Sequence, residues 1–123
     1  MTVQATAFDI DAYSRALEQW DVDALADMYT ADTEFVKIDA EHPPSAPHVV
    51  EGIETLKGMF AHCASIGVKS TVHHTISGPD RAAAAITCQF PDGRATTFNE
   101  LFEIRDGRIA RQTEVAISER RVD

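Results

Sequence analysis

The sequence predicts an α+β domain in which helices cover one face of a long, curved antiparallel sheet. Three apolar stripes with spacings of three and four residues predict helices, all in the first half of the chain. Four runs in the second half alternate between the two faces of a strand. A length of 123 residues is typical of one domain with a core or an internal pocket, so we expect residues 1–123 to form a single domain.

The three predicted helices each present one apolar face. Asp9 or Asp11 can cap the first helix and Asp21 the second, while the third begins near Gly52 and ends at Gly67. The apolar faces consist of Ile10, Tyr13, Leu17 and Trp20 in the first helix, Val22, Leu25, Met28 and Tyr29 in the second, and Ile53, Leu56, Phe60 and Cys63 in the third.

The predicted strands follow and partly separate these helices. A short strand is expected around residues 33–39. Its pattern does not decide which of the two faces is buried. Residues 40–48 contain three prolines and predict a loop, because proline removes a backbone donor and restricts the residue before it. Two further strands are expected at 68–77 and 81–90, separated by a turn.

Residues 95–117 predict a β-hairpin that turns at Asp106 and Gly107, since glycine supplies the positive φ that a tight turn needs. Glu100 lies on an aromatic and aliphatic face of its first strand. The other members of that face are Phe98, Phe102 and Ile104. A carboxylate on such a face is near an edge, paired, or used for chemistry.

The orientation of Glu114 depends on the length of that turn. A two-residue turn makes Glu114 face away from Glu100, whereas a three-residue turn from Arg105 to Gly107 with a glycine bulge puts both on one face. We expect Glu114 in the pocket, which leaves Val115 and Ile117 on the outer face of the sheet as candidate dimer contacts.

Composition excludes several classes of function. The formal net charge of −9 argues against binding to nucleic acid or to an anionic membrane surface. Two cysteines, Cys63 and Cys88, are too few and too far apart for a zinc site or a disulfide framework, so two reduced thiols and a cytoplasmic location are expected. No apolar run reaches the length of a membrane span.

The histidines do not predict a metal site. His73 and His74 are adjacent on a strand and are expected to point to opposite faces, and the others lack the spacing of metal ligands. His74 shares its expected face with Val72 and Ile76, which makes it a candidate acid–base or hydrogen-bonding group in the pocket.

The chain resembles the nuclear transport factor 2-like superfamily, and most closely its SnoaL-like and ketosteroid isomerase-like branch. The resemblance rests on residues 20–25 (WDVDAL), Met28 and Tyr29 with Asp32, residues 51–53 (EGI) and residues 102–109. It implies a cone-shaped curved sheet wrapped around three N-terminal helices and enclosing an apolar pocket. It also implies a homodimer through the outer sheet face and the absence of a cofactor.

The resemblance implies roles for individual residues. Tyr13 falls where ketosteroid isomerases have an oxyanion-hole tyrosine, and Glu100 where they have a protonated carboxylic acid. Lys37 occupies the position expected to hold their general base, and Asp39 follows two residues later on the same strand face. Glu114 falls near a catalytic aspartate of limonene epoxide hydrolases, while their arginine corresponds to Phe98.

Two hypotheses for function follow. In the first, the protein is a small cofactor-free enzyme that moves protons next to the carbonyl group of a small hydrophobic compound. Its candidate catalytic residues are Tyr13, Asp39, His74, Glu100 and Glu114, and its candidate pocket residues are Phe35, Phe60, Phe98, Phe102 and Gln112. In the second, the protein is a non-catalytic dimeric binding protein for such a molecule, as the lysine at position 37 suggests.

Overall fold

The computed structural model describes residues 7–119, which form three helices and one six-stranded sheet. The ten terminal residues of the expected domain, 1–6 and 120–123, lie outside that range. The elements are α1 (Ile10–Gln19), α2 (Val22–Ala26), β1 (Tyr29–Ile38), β2 (His48–Glu51), α3 (Ile53–Ser65), β3 (Lys69–Ser77), β4 (Arg81–Gln89), β5 (Ala95–Arg105) and β6 (Arg108–Ser118).

The sheet has the order β2-β1-β6-β5-β4-β3 and is mixed rather than wholly antiparallel. Strands β3 to β6 form the expected antiparallel meander. Strand β1 pairs in parallel with β6, on the side of β6 that faces away from β5. The short strand β2 pairs with β1; it begins at the last residue of the predicted loop, His48, and occupies residues to which the sequence analysis assigned no element. The predicted α+β class with a curved sheet is confirmed.

The helices pack on one face of the sheet, called here the inner face, and this packing forms the core. Asp9 begins α1 by accepting a hydrogen bond from the amide of Ala12 at 3.0 Å, and the apolar residues of the helix set which side faces inward. Buried side chains from α1 and α3 then meet residues of β1, β4 and β5. They include Tyr13, Leu17, Leu56, Phe35, Ile86 and Phe102.

The second helix is shorter than its apolar stripe suggests. It ends at Ala26, and Tyr29 opens β1 instead of continuing the helix. The hydroxyl of Tyr29 needs a buried partner, and the strand position supplies one across the sheet in Gln112 at 2.6 Å. Tertiary hydrogen bonding therefore overrides the helical spacing at this residue.

A bulge corrects the prediction for His74. Val72 pairs with Ile86 and His74 pairs with Ala85, so His73 is an extra residue in β3. The bulge turns His74 to the outer face, where it is exposed, rather than to the pocket face. His73 also lies on this exposed side and hydrogen-bonds Thr87 at 2.9 Å, so the two imidazoles do not alternate between faces.

A second bulge decides the orientation of Glu114. The hairpin turn has two residues, Asp106 and Gly107, which both adopt positive φ, at 53° and 78°. Such a turn would point Glu114 outward, but Glu103 pairs with Arg111 while Ile104 pairs with Ile109, which leaves Ala110 as an extra residue. The bulge, rather than a three-residue turn, places Glu114 on the inner face.

Candidate functional site

A cavity of about 270 Å³ lies between the helices and the inner face of the sheet. Its apolar wall includes Phe35, Phe60 and Phe98, three of the predicted pocket residues. Polar and ionisable side chains converge on it from α1, α3 and three strands. They include Tyr13, Lys37, His62, Glu100, Gln112 and Glu114. Four of the predicted site residues, Tyr13, Glu100, Gln112 and Glu114, thus come together in one space.

The centre of the site is a pair of buried carboxyl groups. Glu100 on β5 and Glu114 on β6 are directly opposite in the strand register, and their side chains are 4% and 8% exposed. Burial raises the pKa of Glu100 well above its ordinary value, and the neighbouring Glu114 raises it further. Burial also raises the pKa of Glu114, whereas its hydrogen bond with Glu100 and the charge of Lys37 lower it. The pair therefore holds a proton at a pH where exposed carboxyl groups have lost theirs, and Glu100, whose pKa is raised more strongly, is the member that keeps it.

A chain of hydrogen bonds holds the side chain of Glu100 in place. Tyr29 donates its hydroxyl proton to Oε1 of Gln112 at 2.6 Å, so the amide group of Gln112 turns its Nε2 toward Glu100. That Nε2 donates to Oε2 of Glu100 at 2.9 Å. Oε2 of Glu100 is thus engaged as an acceptor by Gln112.

Tyr13 supplies a hydroxyl to the same end of the cavity. It is buried on α1, its ring meets Phe102 edge-on with centroids 5.0 Å apart, and its hydroxyl group interacts with Tyr29 and Gln112. Burial raises its pKa far above the ordinary value, and the charge of Glu100 adds to the shift. Tyr13 is consequently a neutral hydrogen-bond donor, while Phe102 supports its ring from behind instead of lining the cavity as expected.

Lys37 lies on the inner face of β1, beside Glu114 in the parallel pairing with β6. Its side chain is half-buried, and the structure gives it no hydrogen bond or ion pair within 4.0 Å to another described residue. Its charge nevertheless lowers the pKa of Glu100 and of Glu114. The predicted base position therefore holds a cation that acts on the carboxyl pair through space.

Asp39 does not reach the cavity. It follows β1 and closes a turn by accepting hydrogen bonds from the amides of Glu41 and His42 at 2.9 and 2.8 Å and from the His42 ring at 2.9 Å. Burial opposes its ionisation, but these hydrogen bonds prevail and hold the pKa of Asp39 below its ordinary range. A carboxylate with its lone pairs engaged in a turn is a poor candidate for the general base that the sequence suggested.

The cavity also contains residues to which the sequence analysis gave no role. Trp20, the only tryptophan of the chain, lines it, and its indole N–H is buried with no partner among residues 7–119. Cys63 and Cys88 line it as thiols, since burial raises both pKa values, that of Cys88 to about 11. Trp20 and Cys63 belong to the predicted apolar helix stripes, so that pattern already marked them as inward-facing.

Neither a metal cluster nor a membrane span is found in the part of the chain that the structure describes. No group of three or more His, Cys, Asp or Glu side chains between residues 7 and 119 could hold a metal ion. Among the helices in that range, none has the length and apolar character needed to cross a membrane.

Comparison with known proteins places this geometry in a family. The family model for the SnoaL-like domain matches residues 10–112. No curated protein matches the chain.

Three solved structures illustrate the fold. An NTF2-like protein of unknown function from Mesorhizobium loti is 17% identical, with 88% of this chain and 87% of that chain covered and a TM-score of 0.74. A candidate ketosteroid isomerase from Kribbella flavida is 15% identical, with coverage of 93% and 78% and a TM-score of 0.71. The epoxide hydrolase/cyclase-like enzyme SalBIII, which has a role in pyran ring formation in the polyether salinomycin, is 19% identical, with coverage of 88% and 87% and a TM-score of 0.67.

At these identities the structures establish the fold and nothing about the reaction. The family model covers most of the chain, and the helices and the mixed sheet agree with the fold of the solved structures. The chain therefore belongs to the SnoaL-like domain family, and its fold is that of NTF2-like proteins.

Proposed function

We propose that the protein is a cofactor-free enzyme that transfers protons at the carbon next to the carbonyl group of a small hydrophobic compound. The observation that carries the proposal is the buried pair of Glu100 and Glu114 in an apolar cavity, with the neutral hydroxyl of Tyr13 beside it. Two carboxyl groups that share one proton offer an acid and a base at the same pH, which proton transfer at carbon needs.

The roles of the three residues follow from their protonation. The ionised Glu114 removes the proton next to the carbonyl group, and its bonding electrons move toward the carbonyl oxygen. Tyr13 and the protonated Glu100 donate hydrogen bonds to the oxygen as its negative charge grows. Return of the proton from Glu114 to another carbon gives isomerisation. If the proton on Glu114 is first replaced by one from solvent, its return to the same carbon gives exchange.

The size of the cavity limits the ligand. A volume of about 270 Å³ corresponds to roughly nine water molecules at about 30 Å³ each, which suits a ligand of about ten non-hydrogen atoms. The aromatic wall favours an apolar ring or chain, and the buried indole N–H of Trp20 offers a donor to a ligand oxygen.

The experiment is hydrogen–deuterium exchange at the carbon next to the carbonyl group of cyclohexanone, followed by mass spectrometry. We expect the wild type to accelerate the exchange and Glu114→Gln to slow it by about one hundredfold or more. Glu103→Gln is the matched control, because Glu103 lies on the same strand but on the outer face, half-exposed. Wild-type exchange at the buffer rate, or full activity of Glu114→Gln, would refute the proposal.

A second candidate function is ligand binding without chemistry. The observation in its favour is that Lys37 occupies the expected base position while Asp39 is held in a turn. Trp20 fluorescence reports directly on the cavity, since it is the only tryptophan. Saturable quenching of Trp20 by cyclohexanone without any acceleration of exchange would establish the binding protein instead of the enzyme.

We also propose a homodimer through the outer sheet face, as the family resemblance implies. This face exposes Ile76, Leu101 and Ile117 at 75%, 59% and 71%, and several large apolar side chains exposed on one sheet face are typical of an interface. Sedimentation equilibrium should show a dimer that Leu101→Glu dissociates. Ala61→Glu, which places the same charge on an exposed position of α3, should leave the dimer intact. A monomeric wild type would refute the proposal.

A further inference from the structure

Lys37 is the cavity residue that the acid–base proposal leaves without a function. It lines the cavity together with Glu100 and Glu114, yet none of the hydrogen bonds or ion pairs described for residues 7–119 involves its amino group. Lysines at a protein surface usually keep the ammonium in water, whereas this one is half-buried on the inner face of the sheet. An amino group in such a place is available to a ligand.

The position of Lys37 also suits a ligand that enters from outside. A surface groove of about 680 Å³ adjoins the cavity, and Lys37, Phe90 and Phe98 line both spaces. The groove and the cavity therefore meet at the side chain of Lys37, and the buried carboxyl pair lines only the cavity.

We propose that Lys37 forms a covalent imine with the carbonyl carbon of the ligand, and that Glu100 and Glu114 carry the protons for this step. The inference rests on the proposed function in one respect, namely that the ligand is a small aldehyde or ketone. The inference adds Lys37 to the site as a nucleophile. Its reaction with the ligand is the condensation of an amine with a carbonyl group.

The condensation balances with the groups that the cavity holds. Glu114 takes a proton from the Lys37 ammonium, and the free amine attacks the carbonyl carbon. One nitrogen proton passes to the oxygen by way of Glu114, which gives a carbinolamine. Glu100 then protonates the hydroxyl group, the carbon–oxygen bond breaks, and water leaves as the nitrogen lone pair forms the double bond. The iminium cation remains beside the ionised Glu100, so no net charge is created.

The iminium makes the adjacent carbon more acidic than the parent carbonyl group does. The carboxylate left on Glu100 removes a proton from that carbon and gives an enamine, which takes a proton back on reprotonation. Lys37 would thus supply the electron sink, while the carboxyl pair moves the protons with the roles of Glu100 and Glu114 exchanged relative to the preceding proposal.

The two other lysines of the chain are suitable internal controls. Lys57 on α3 is bound to Asp23 at 3.1 Å, and Lys69 at the start of β3 is exposed. Both lie outside the cavity lining, so background reaction of surface amines with a ketone appears at them as well as at the N-terminus.

The test is reductive trapping with cyclohexanone and sodium cyanoborohydride, followed by intact-mass measurement and peptide mapping. We expect one adduct per chain, with the mass of cyclohexanone less one oxygen atom, located on Lys37. The adduct should be lost in Lys37→Met and in Lys37→Arg, with circular dichroism confirming that both variants fold. Lys37→Arg keeps the positive charge at this position. If the fold depends only on that charge, this variant still folds, and loss of its adduct can be assigned to loss of the amine. Adduct spread evenly over Lys57 and Lys69, or unchanged in both variants, would overturn the proposal.

The exchange assay separates this inference from the proposed function. Accelerated exchange that persists in Lys37→Arg, together with no adduct trapped at Lys37 of the wild type, would refute the imine and leave the acid–base enzyme standing. A specific adduct at Lys37 without accelerated exchange would support the imine and refute proton transfer as the function.

Discussion

Replacing Glu100 with glutamine should remove one pH-dependent contribution to the stability of the fold. Glutamine has nearly the shape of a protonated glutamate, can accept from Nε2 of Gln112 and can donate to Glu114, so the buried hydrogen bonds persist. It cannot ionise, however. The variant therefore isolates the contribution of one buried proton.

The sign of the effect follows from the raised pKa of Glu100. Above its ordinary value of about 4.5, the unfolded chain has released this proton while the folded protein still holds it. Folding is then penalised by about 1.4 kcal/mol for each pH unit, up to the raised pKa of the folded state. The stabilising contribution of neutral Glu100 is fully present below about pH 4.5 and is lost as the pH rises.

The assay is urea denaturation of the wild type and of Glu100→Gln at several values from about pH 5 to about pH 8. The difference in unfolding free energy should shift in favour of the variant as the pH rises, with a slope approaching about 1.4 kcal/mol per pH unit. Glu103→Gln on the outer face of the same strand should show no such slope, since Glu103 is half-exposed. Parallel pH profiles of wild type and Glu100→Gln would refute a buried, protonated Glu100.

Three further predictions test the surroundings of the pair. Tyr13→Phe should slow exchange on cyclohexanone by about one hundredfold because it removes an oxyanion donor, and an unchanged rate would exclude that role. Gln112→Leu leaves the Tyr29 hydroxyl and Glu100 without their shared partner, so urea denaturation should show a loss of about 2–4 kcal/mol; a loss below about 1 kcal/mol would contradict the network. His74→Ala should catalyse the exchange on cyclohexanone at the wild-type rate because His74 is exposed. A clear loss of activity would show that His74 belongs to the site.

The elements of this fold follow from local sequence patterns. Asp9 and Asp21 cap the two helices that they were expected to cap, and Asp106 with Gly107 forms the hairpin turn. These features depend on a few neighbouring residues, so a single sequence contains the information for them. The inward orientation of Glu100 belongs to the same class, because plain alternation along β5 is sufficient to predict it.

The faces of residues beyond a bulge could not be predicted in this way. Alternation carries His74 to the pocket face, and an extra residue at His73 reverses it. Glu114 was expected in the pocket, where it is found, but a three-residue turn was the route considered and a bulge at Ala110 is the actual cause. Neither His73 nor Ala110 is a glycine, and their residue types give no sign of a bulge.

Contacts between distant segments were equally hidden. Tyr29 fits the stripe of α2, and only its hydrogen bond to Gln112, 83 residues away, reveals why it belongs to a strand. Lys37 was identified as a departure from the family pattern, but its place beside Glu114 depends on the parallel pairing of β1 with β6. Such pairing is a property of the whole sheet and not of either strand.

The bulge at Ala110 makes the faces of β6 tolerant of one particular deletion. Loss of this single codon would place Arg111 directly after Ile109, where it would still pair with Glu103, so that every later residue of β6 would keep its side of the sheet. Loss of the codon for Thr113 would instead pair Glu114 with Leu101 and turn its carboxyl group to the outer face. Two three-nucleotide deletions only three codons apart would therefore have opposite effects, since one straightens the strand and the other removes a carboxyl group from the cavity.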